Sequence, residues 1–157
     1  MLATTLQQHP PIPPEWQFLI HLTPGRRRPS ESPAVIVIDD DADARRIYSE
    51  YMRAKGFTVF TAPDGRTGLT KTLELIPDAI VLDLAMPKVD GWTVLKHVRE
   101  SSLTAQIPVV VVSALTDARD EAFYAGANAY LTKPCPPAVV YLQVCAIARL
   151  QQDSRLA

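Results

Sequence analysis

Four runs in this chain place apolar residues side by side with no polar alternation: Val35-Ile36-Val37-Ile38, Ala79-Ile80-Val81-Leu82, Val109-Val110-Val111-Val112 and Ala129-Tyr130-Leu131. Continuous short runs of this kind suit parallel strands covered on both faces. A fifth segment, Phe57-Thr58-Val59-Phe60-Thr61, is rich in β-branched and aromatic residues and predicts the second strand in chain order. Helical spacing fills the intervals between them. From Ala34 onward strand and helix patterns alternate five times, which predicts an α/β unit of (βα)5 type with a parallel sheet.

The helices carry their own start and stop signals. Asp41 or Asp43 can cap a first helix in which Ala44, Ile47, Tyr48, Tyr51 and Met52 recur on one face, and Lys55-Gly56 closes it. Asp64-Gly65 leads into a second with Leu69, Leu73 and Ile76 inward and Pro77 as its stop; Gly68 weakens that helix on propensity. Asp90-Gly91 turns the chain into a third helix near Trp92, with Val94, Leu95 and Val98 inward. Asp117 or Asp120 begins a fourth through Ala122, Phe123 and Ala125 that stops at Gly126. Pro136-Pro137 suits the start of a fifth, with Val140, Val144, Ile147 and Leu150 as its buried stripe.

The chemistry collects at strand ends. The third strand delivers Asp83 to a loop that Pro87 keeps out of the ladder. The first ends in Asp39-Asp40-Asp41, the fourth in Ser113-Ala114 and the fifth in Thr132-Lys133-Pro134. Open α/β sheets bind ligands in the crevice beyond the carboxyl ends of their strands. An acidic pair, a single Asp, a hydroxyl and a Lys brought together there form a reaction site.

Composition narrows the reading further. The chain has 157 residues and a net charge of −1, enough for one domain and without the basic excess of a nucleic-acid or anionic-membrane surface. No apolar run approaches the ~20 residues of a membrane span. Cys135 and Cys145 show neither metal spacing nor a disulfide framework, which fits structural thiols in a reducing cytoplasm. Residues 1–33 lie outside the alternating pattern: His9-Pro10-Pro11-Ile12-Pro13-Pro14 predicts extended chain, Glu15 to Leu22 an apolar turn or two, and Arg26 to Pro33 a solvated linker.

Residues 34–150, about three quarters of the chain, resemble the receiver domain of two-component response regulators. The resemblance rests on Ile38-Asp39-Asp40-Asp41, on Val81-Leu82-Asp83-Leu84 with Met86-Pro87 and Asp90-Gly91, on Pro108 to Ser113-Ala114, on Gly126-Ala127 and on Lys133-Pro134, all in order. It implies a flavodoxin-like, doubly wound sheet of order 2-1-3-4-5. It further implies that Asp83 accepts a phosphoryl group from a phosphohistidine on a histidine kinase or histidine phosphotransfer protein. Asp39, Asp40, Asp83 and the backbone carbonyl of Ala85 would then hold Mg²⁺, Asp39 through a water. Ser113 and Lys133 would contact the phosphoryl group, and Tyr130 would rotate with Ser113 as the switch. Lys133-Pro134 corresponds to a cis step. The fourth helix, fifth strand and fifth helix would form the surface that changes, binding a downstream target or a second copy as a homodimer.

Three carboxylates in one crevice raise one another's pKa unless a cation lies among them, and phosphoryl transfer asks chiefly for alignment and positive charge. A receiver of this kind is a phosphoacceptor rather than a turnover enzyme. Residues 151–157 read as a short tail, so the expected output is docking or onward phosphotransfer, without direct nucleic-acid contact. Ala85 and Leu115 stand where the family often has polar side chains that orient a hydrolytic water, which predicts slow loss of the phosphoryl group. Two other readings compete: a haloacid-dehalogenase-like phosphatase using Asp39 of Asp39-x-Asp41 as nucleophile, and a receiver that serves as an unphosphorylated scaffold.

Overall fold

The structure, a computed structural model, describes the backbone of residues 32–156 and the side chains of residues 32–148. The expectations for residues 1–31 and for Leu150 lie outside the described residues. The elements alternate as expected: β1 (Ala34–Ile38), α1 (Ala42–Ala54), β2 (Thr58–Ala62), α2 (Gly65–Leu75), β3 (Ala79–Leu82), α3 (Gly91–Glu100), β4 (Val109–Ser113), α4 (Arg119–Tyr124), β5 (Ala129–Thr132) and α5 (Pro137–Leu156). All four strand pairings are parallel. The order is β2-β1-β3-β4-β5, so the strand order reverses at β1/β3 and opens the crevice there.

The unbroken apolar runs are explained by two cores, one on each side of the sheet. Ile36, Ile38, Ile80, Leu82, Val109 and Val111 face α2, α3 and α4 and pack on Leu69, Leu73, Val94, Leu95, Val98 and Ala122. Their odd and even neighbours Val35, Val37, Val81, Val110 and Val112 point the other way, onto Tyr48 and Met52 of α1 and Val140, Val144 and Ile147 of α5. The two-residue period of a strand distributes one run between two cores, and each fully buried aliphatic side chain contributes about 1.5–3 kcal/mol.

Several local expectations change on contact with the third dimension. Asp41, not Asp43, caps α1, its Oδ1 accepting from the amides of Asp43 and Ala44 at 2.9 and 3.2 Å. Ile47 is 43% exposed, while Ser49 is buried and donates to the Arg45 carbonyl. Neither Asp117 nor Asp120 caps α4, which starts after Ala118 without a side-chain cap, and Phe123 is partly exposed. The backbone of α5 runs on to Leu156, past residue 150, because nothing after Pro137 is a Gly or Pro that would stop it. Gly68 is no weakness: a Cβ there would lie 2.6 Å from Ile38 Cδ1, so the missing side chain lets α2 settle on β1.

Basic side chains reach over both edge strands. Arg53 Nη2 donates to the Val59 carbonyl at 2.9 Å and Lys71 Nζ to that of Thr61 at 2.8 Å, both on β2. On β5, Arg119 Nη1 donates to the Tyr130 carbonyl at 3.4 Å.

Candidate functional site

At the carboxyl end of β1 the chain makes a tight turn into α1. Asp39 is 2% exposed, and its Oδ1 accepts from the Asp41 amide at 2.9 Å. Its other oxygen is 2.7 Å from Lys133 Nζ. Asp83, 5% exposed, stands at the end of β3; its Oδ1 accepts from the Ala85 amide at 3.0 Å and its Oδ2 lies 3.3 Å from the same Lys133 Nζ. Lys133 therefore bridges two buried carboxylates from strands that are neighbours in the sheet. It reaches them from the residue that follows β5; its bond to Pro134 is cis, and its own amide donates to the Ser113 carbonyl at 2.8 Å.

The electrostatics follow from this burial. Desolvation raises the pKa of Asp39, against the hydrogen bonds from Lys133 and the Asp41 amide that favour its charge. Burial alone would lower the pKa of Lys133, but the hydrogen bond to Asp39 and the charges of Asp39 and Asp83 outweigh it, and the net shift is upward. Lys133 thus stays cationic throughout the physiological range.

Asp40 is exposed at the mouth of the crevice, and oxygen atoms of Asp39, Asp40 and Asp83 all lie within 4.8 Å of one another. Carboxylate oxygens alone, open to water on one side, are the donor set of a hard divalent cation such as Mg²⁺, which keeps several waters when bound. The residues present fit that ion.

Ser113 is fully buried at the end of β4, and its Oγ accepts from the Leu115 amide at 3.4 Å. The Tyr130 hydroxyl donates to the Leu115 carbonyl, and the ring is 4% exposed. The Tyr130 side chain lies inward in this conformation, where its phenol finds an acceptor. A cavity of about 340 Å³ opens beside this loop, between Trp92 and the segment Ala114–Ala118 with Glu121.

Of the residues singled out at strand ends, Asp39, Asp40, Asp83 and Lys133 meet here, Ser113 stands at the end of the adjoining β4, and Asp41 does not join them. Asp41 turns its carboxylate to the α1 amides, so the Asp39-x-Asp41 pair of a haloacid-dehalogenase-like nucleophile does not assemble. Arg45 was missed, and Gly91 was read only as a turn residue. Gly91 opens α3 directly against the loop that follows β3: its amide donates to the Leu84 carbonyl at 3.2 Å, and a Cβ there would lie 2.1 Å from the Asp83 carbonyl oxygen. Arg45 donates through Nη1 to the carbonyls of Asp39 and Asp40, at 2.8 and 3.0 Å. A cation so near a helix N-terminus opposes the helix dipole and asks for a local acceptor, which was the available signal.

Comparison with known proteins agrees with this geometry. The response regulator receiver domain model matches residues 35–144. The chain is 39% identical over 119 residues to the DNA-binding dual master transcriptional regulator RpaA of Synechocystis sp., covering 74% of this chain and 49% of that protein. It is 41% identical over 120 residues to the transcriptional regulatory protein PrrA of Mycobacterium leprae, covering 75% and 51%. It thus spans about half the length of these curated relatives. The chemotaxis protein CheY4 of Vibrio cholerae superposes with a TM-score of 0.70 at 28% identity, over 74% of this chain and 98% of that one. With its motif residues gathered at one end of a 2-1-3-4-5 sheet, the chain belongs to the response regulator receiver domain family of two-component systems.

Proposed function

We propose that the chain is a phosphoacceptor switch in which Asp83 is the acceptor. The observation that carries this is the placement of the Asp83 carboxylate beside Asp39 and Asp40 with Lys133 Nζ 3.3 Å from Oδ2. An Asp83 oxygen attacks phosphorus of a phosphohistidine on a histidine kinase or phosphotransfer protein. The P–N bond breaks, and the histidine nitrogen leaves with the electron pair and takes up a proton. Asp39, Asp40, Asp83 and the Ala85 carbonyl would hold Mg²⁺, which would supply positive charge to the transferring group. Lys133 adds a second cation, Ser113 a hydroxyl donor, and the Ala85 amide keeps the carboxylate aligned. One phosphoryl group per chain is taken and later lost to water or passed on, so the chemistry is switching rather than turnover.

The output follows from Leu115, which joins the two switch residues: its amide donates to Ser113 and its carbonyl accepts from Tyr130. A phosphoryl group that draws the Ser113 hydroxyl toward Asp83 withdraws the acceptor from that amide, and the β4–α4 loop moves with it. The adjoining α4-β5-α5 face, with Tyr124 92% and Leu142 62% exposed, is the surface for a target protein or a second copy. We assign the protein to the cytoplasm, where its phosphodonors reside, with no direct nucleic-acid contact from the switch unit. No helix of the described residues is long and apolar enough to cross a membrane.

Mass spectrometry after incubation with acetyl phosphate and Mg²⁺ tests the assignment. One acid-stable, base-labile phosphoryl adduct is expected on the wild type and none on Asp83→Asn. An intact protein that never acquires the adduct would be a scaffold, and the proposal would fall.

A further inference from the structure

Asp40 is the exposed member of the acidic cluster, and among the described residues no donor or cation holds its carboxylate. Asp39 is fixed by the Asp41 amide and Lys133, and Asp83 by the Ala85 amide and Lys133. What fixes Asp40 is a contact to its backbone, the Arg45 Nη1 that also holds the Asp39 carbonyl. We propose that Arg45 is a positioning residue for the divalent-cation site: by pinning both carbonyls of the acidic pair it sets where the Asp40 carboxylate stands.

The local construction favours this role. Arg45 is half-buried near the start of α1, and the buried Ser49, one turn on, donates to the Arg45 carbonyl. The turn is thereby joined to the helix at two points: the Asp41 cap acts on the amides, and Arg45 acts on the carbonyls. Residues that orient metal ligands from behind typically cost 10–100-fold in metal affinity when removed.

Charge and position predict opposite signs. A guanidinium near a cation site repels the ion, so its removal tightens binding if electrostatics is all that Arg45 contributes. If Arg45 positions the ligand, its removal weakens binding despite the lost repulsion.

The inference rests on the acidic cluster being a cation site, and titration calorimetry of the full chain with Mg²⁺ separates the two. Arg45→Gln, which is neutral and shorter, is expected to weaken Mg²⁺ binding by about tenfold. Arg45→Lys, which keeps one donor, is expected to stay within about threefold of wild type. Ser49→Ala serves as the structural control: it is expected to lower the unfolding temperature and leave the Mg²⁺ affinity unchanged. Unchanged or tighter binding in Arg45→Gln overturns the positioning role and leaves the cation site standing. Should Arg45→Gln fail to fold, Arg45→Ala takes its place: an Arg45→Ala affinity equal to that of wild type, or a loss in Ser49→Ala as large as that in Arg45→Ala, overturns it instead. Absence of Mg²⁺ binding by the wild type overturns both the role and the site.

Discussion

Replacing Gly91 with alanine would drive a methyl group to 2.1 Å from the Asp83 carbonyl oxygen and 2.6 Å from Leu84 Cα. An ordinary carbon–oxygen contact is about 3.3 Å, so roughly 1 Å must be found, and the atoms in the way are backbone. The displacement cannot be absorbed by a rotamer change. It must move either the first turn of α3, which Asp90 Oδ1 caps through the Thr93 amide at 2.9 Å, or the acceptor loop itself. Overpacking of this kind costs about 1–3 kcal/mol, and a clash with backbone on two sides belongs at the upper end. The helix propensity gained on going from Gly to Ala returns about 1 kcal/mol at most. The expected net loss is about 2 kcal/mol, a fall of several degrees in unfolding temperature for a domain of this size. The functional loss should be larger, since a 1 Å misplacement of a reacting group can cost about 100-fold. Thermal unfolding by circular dichroism and the initial rate of Asp83 phosphorylation by acetyl phosphate measure the two effects. Gly56→Ala is the control, because Gly56 has φ +93° but nothing within 4 Å of an added Cβ. It should destabilise through backbone strain and leave the phosphorylation rate unchanged. A Gly91→Ala protein with wild-type stability and a wild-type rate would refute the reasoning.

Three further outcomes are expected. Ala85→Asn, which offers a hydrolytic water a polar partner beside the acyl phosphate, should shorten the lifetime of phospho-Asp83; decay of the purified phosphoprotein measures it, and an equal or slower rate counts against the idea. Lys133→Ala leaves two nearly buried carboxylates facing each other, so the unfolding temperature in a chelator should drop by the equivalent of about 2 kcal/mol, discounted for the partial exposure of the lysine, and Mg²⁺ should recover part of it. Burial lowers the pKa of His97 below its usual 6.5, so its stabilising effect is complete above that value and is lost as pH falls through the depressed one. In His97→Gln the decline of unfolding temperature below pH 6.5 should accordingly be shallower, and an identical slope in the two proteins would show that His97 does not contribute.

The sheet was legible because a strand buried on both faces has a simple signature, and four of the five strands carry it. Asp39, Asp83 and Ser113 were legible for a related reason: each is the first polar residue after such a run, with Lys133 one residue further on after the shorter fourth run, and β strands of similar length bring those positions to one end. What stayed hidden depends on neighbours distant in sequence. Helical spacing marks Ile47 and Phe123 as inward, yet both lie at the margin of their stripe, where α1 and α4 meet solvent. Gly68 looks like a weak helix residue and Gly91 like a turn residue until Ile38 and Asp83 are seen against them. Arg45 reads as one more solvated charge unless its place near the start of α1 is weighed, and even then the sequence does not say which carbonyls it holds. The inward Tyr130 depends on the Leu115 carbonyl, whose direction only the folded loop determines.

Arg53, Lys71 and Arg119 also bear on how the molecule meets others. Carbonyls at both borders of the sheet already have a charged donor, so a visiting extended peptide would have to displace cations before it could zip on. Growth of the sheet from chain to chain is discouraged at the outset. Recognition is thereby left to helices and loops, the parts of the molecule that a change at Asp83 can reach.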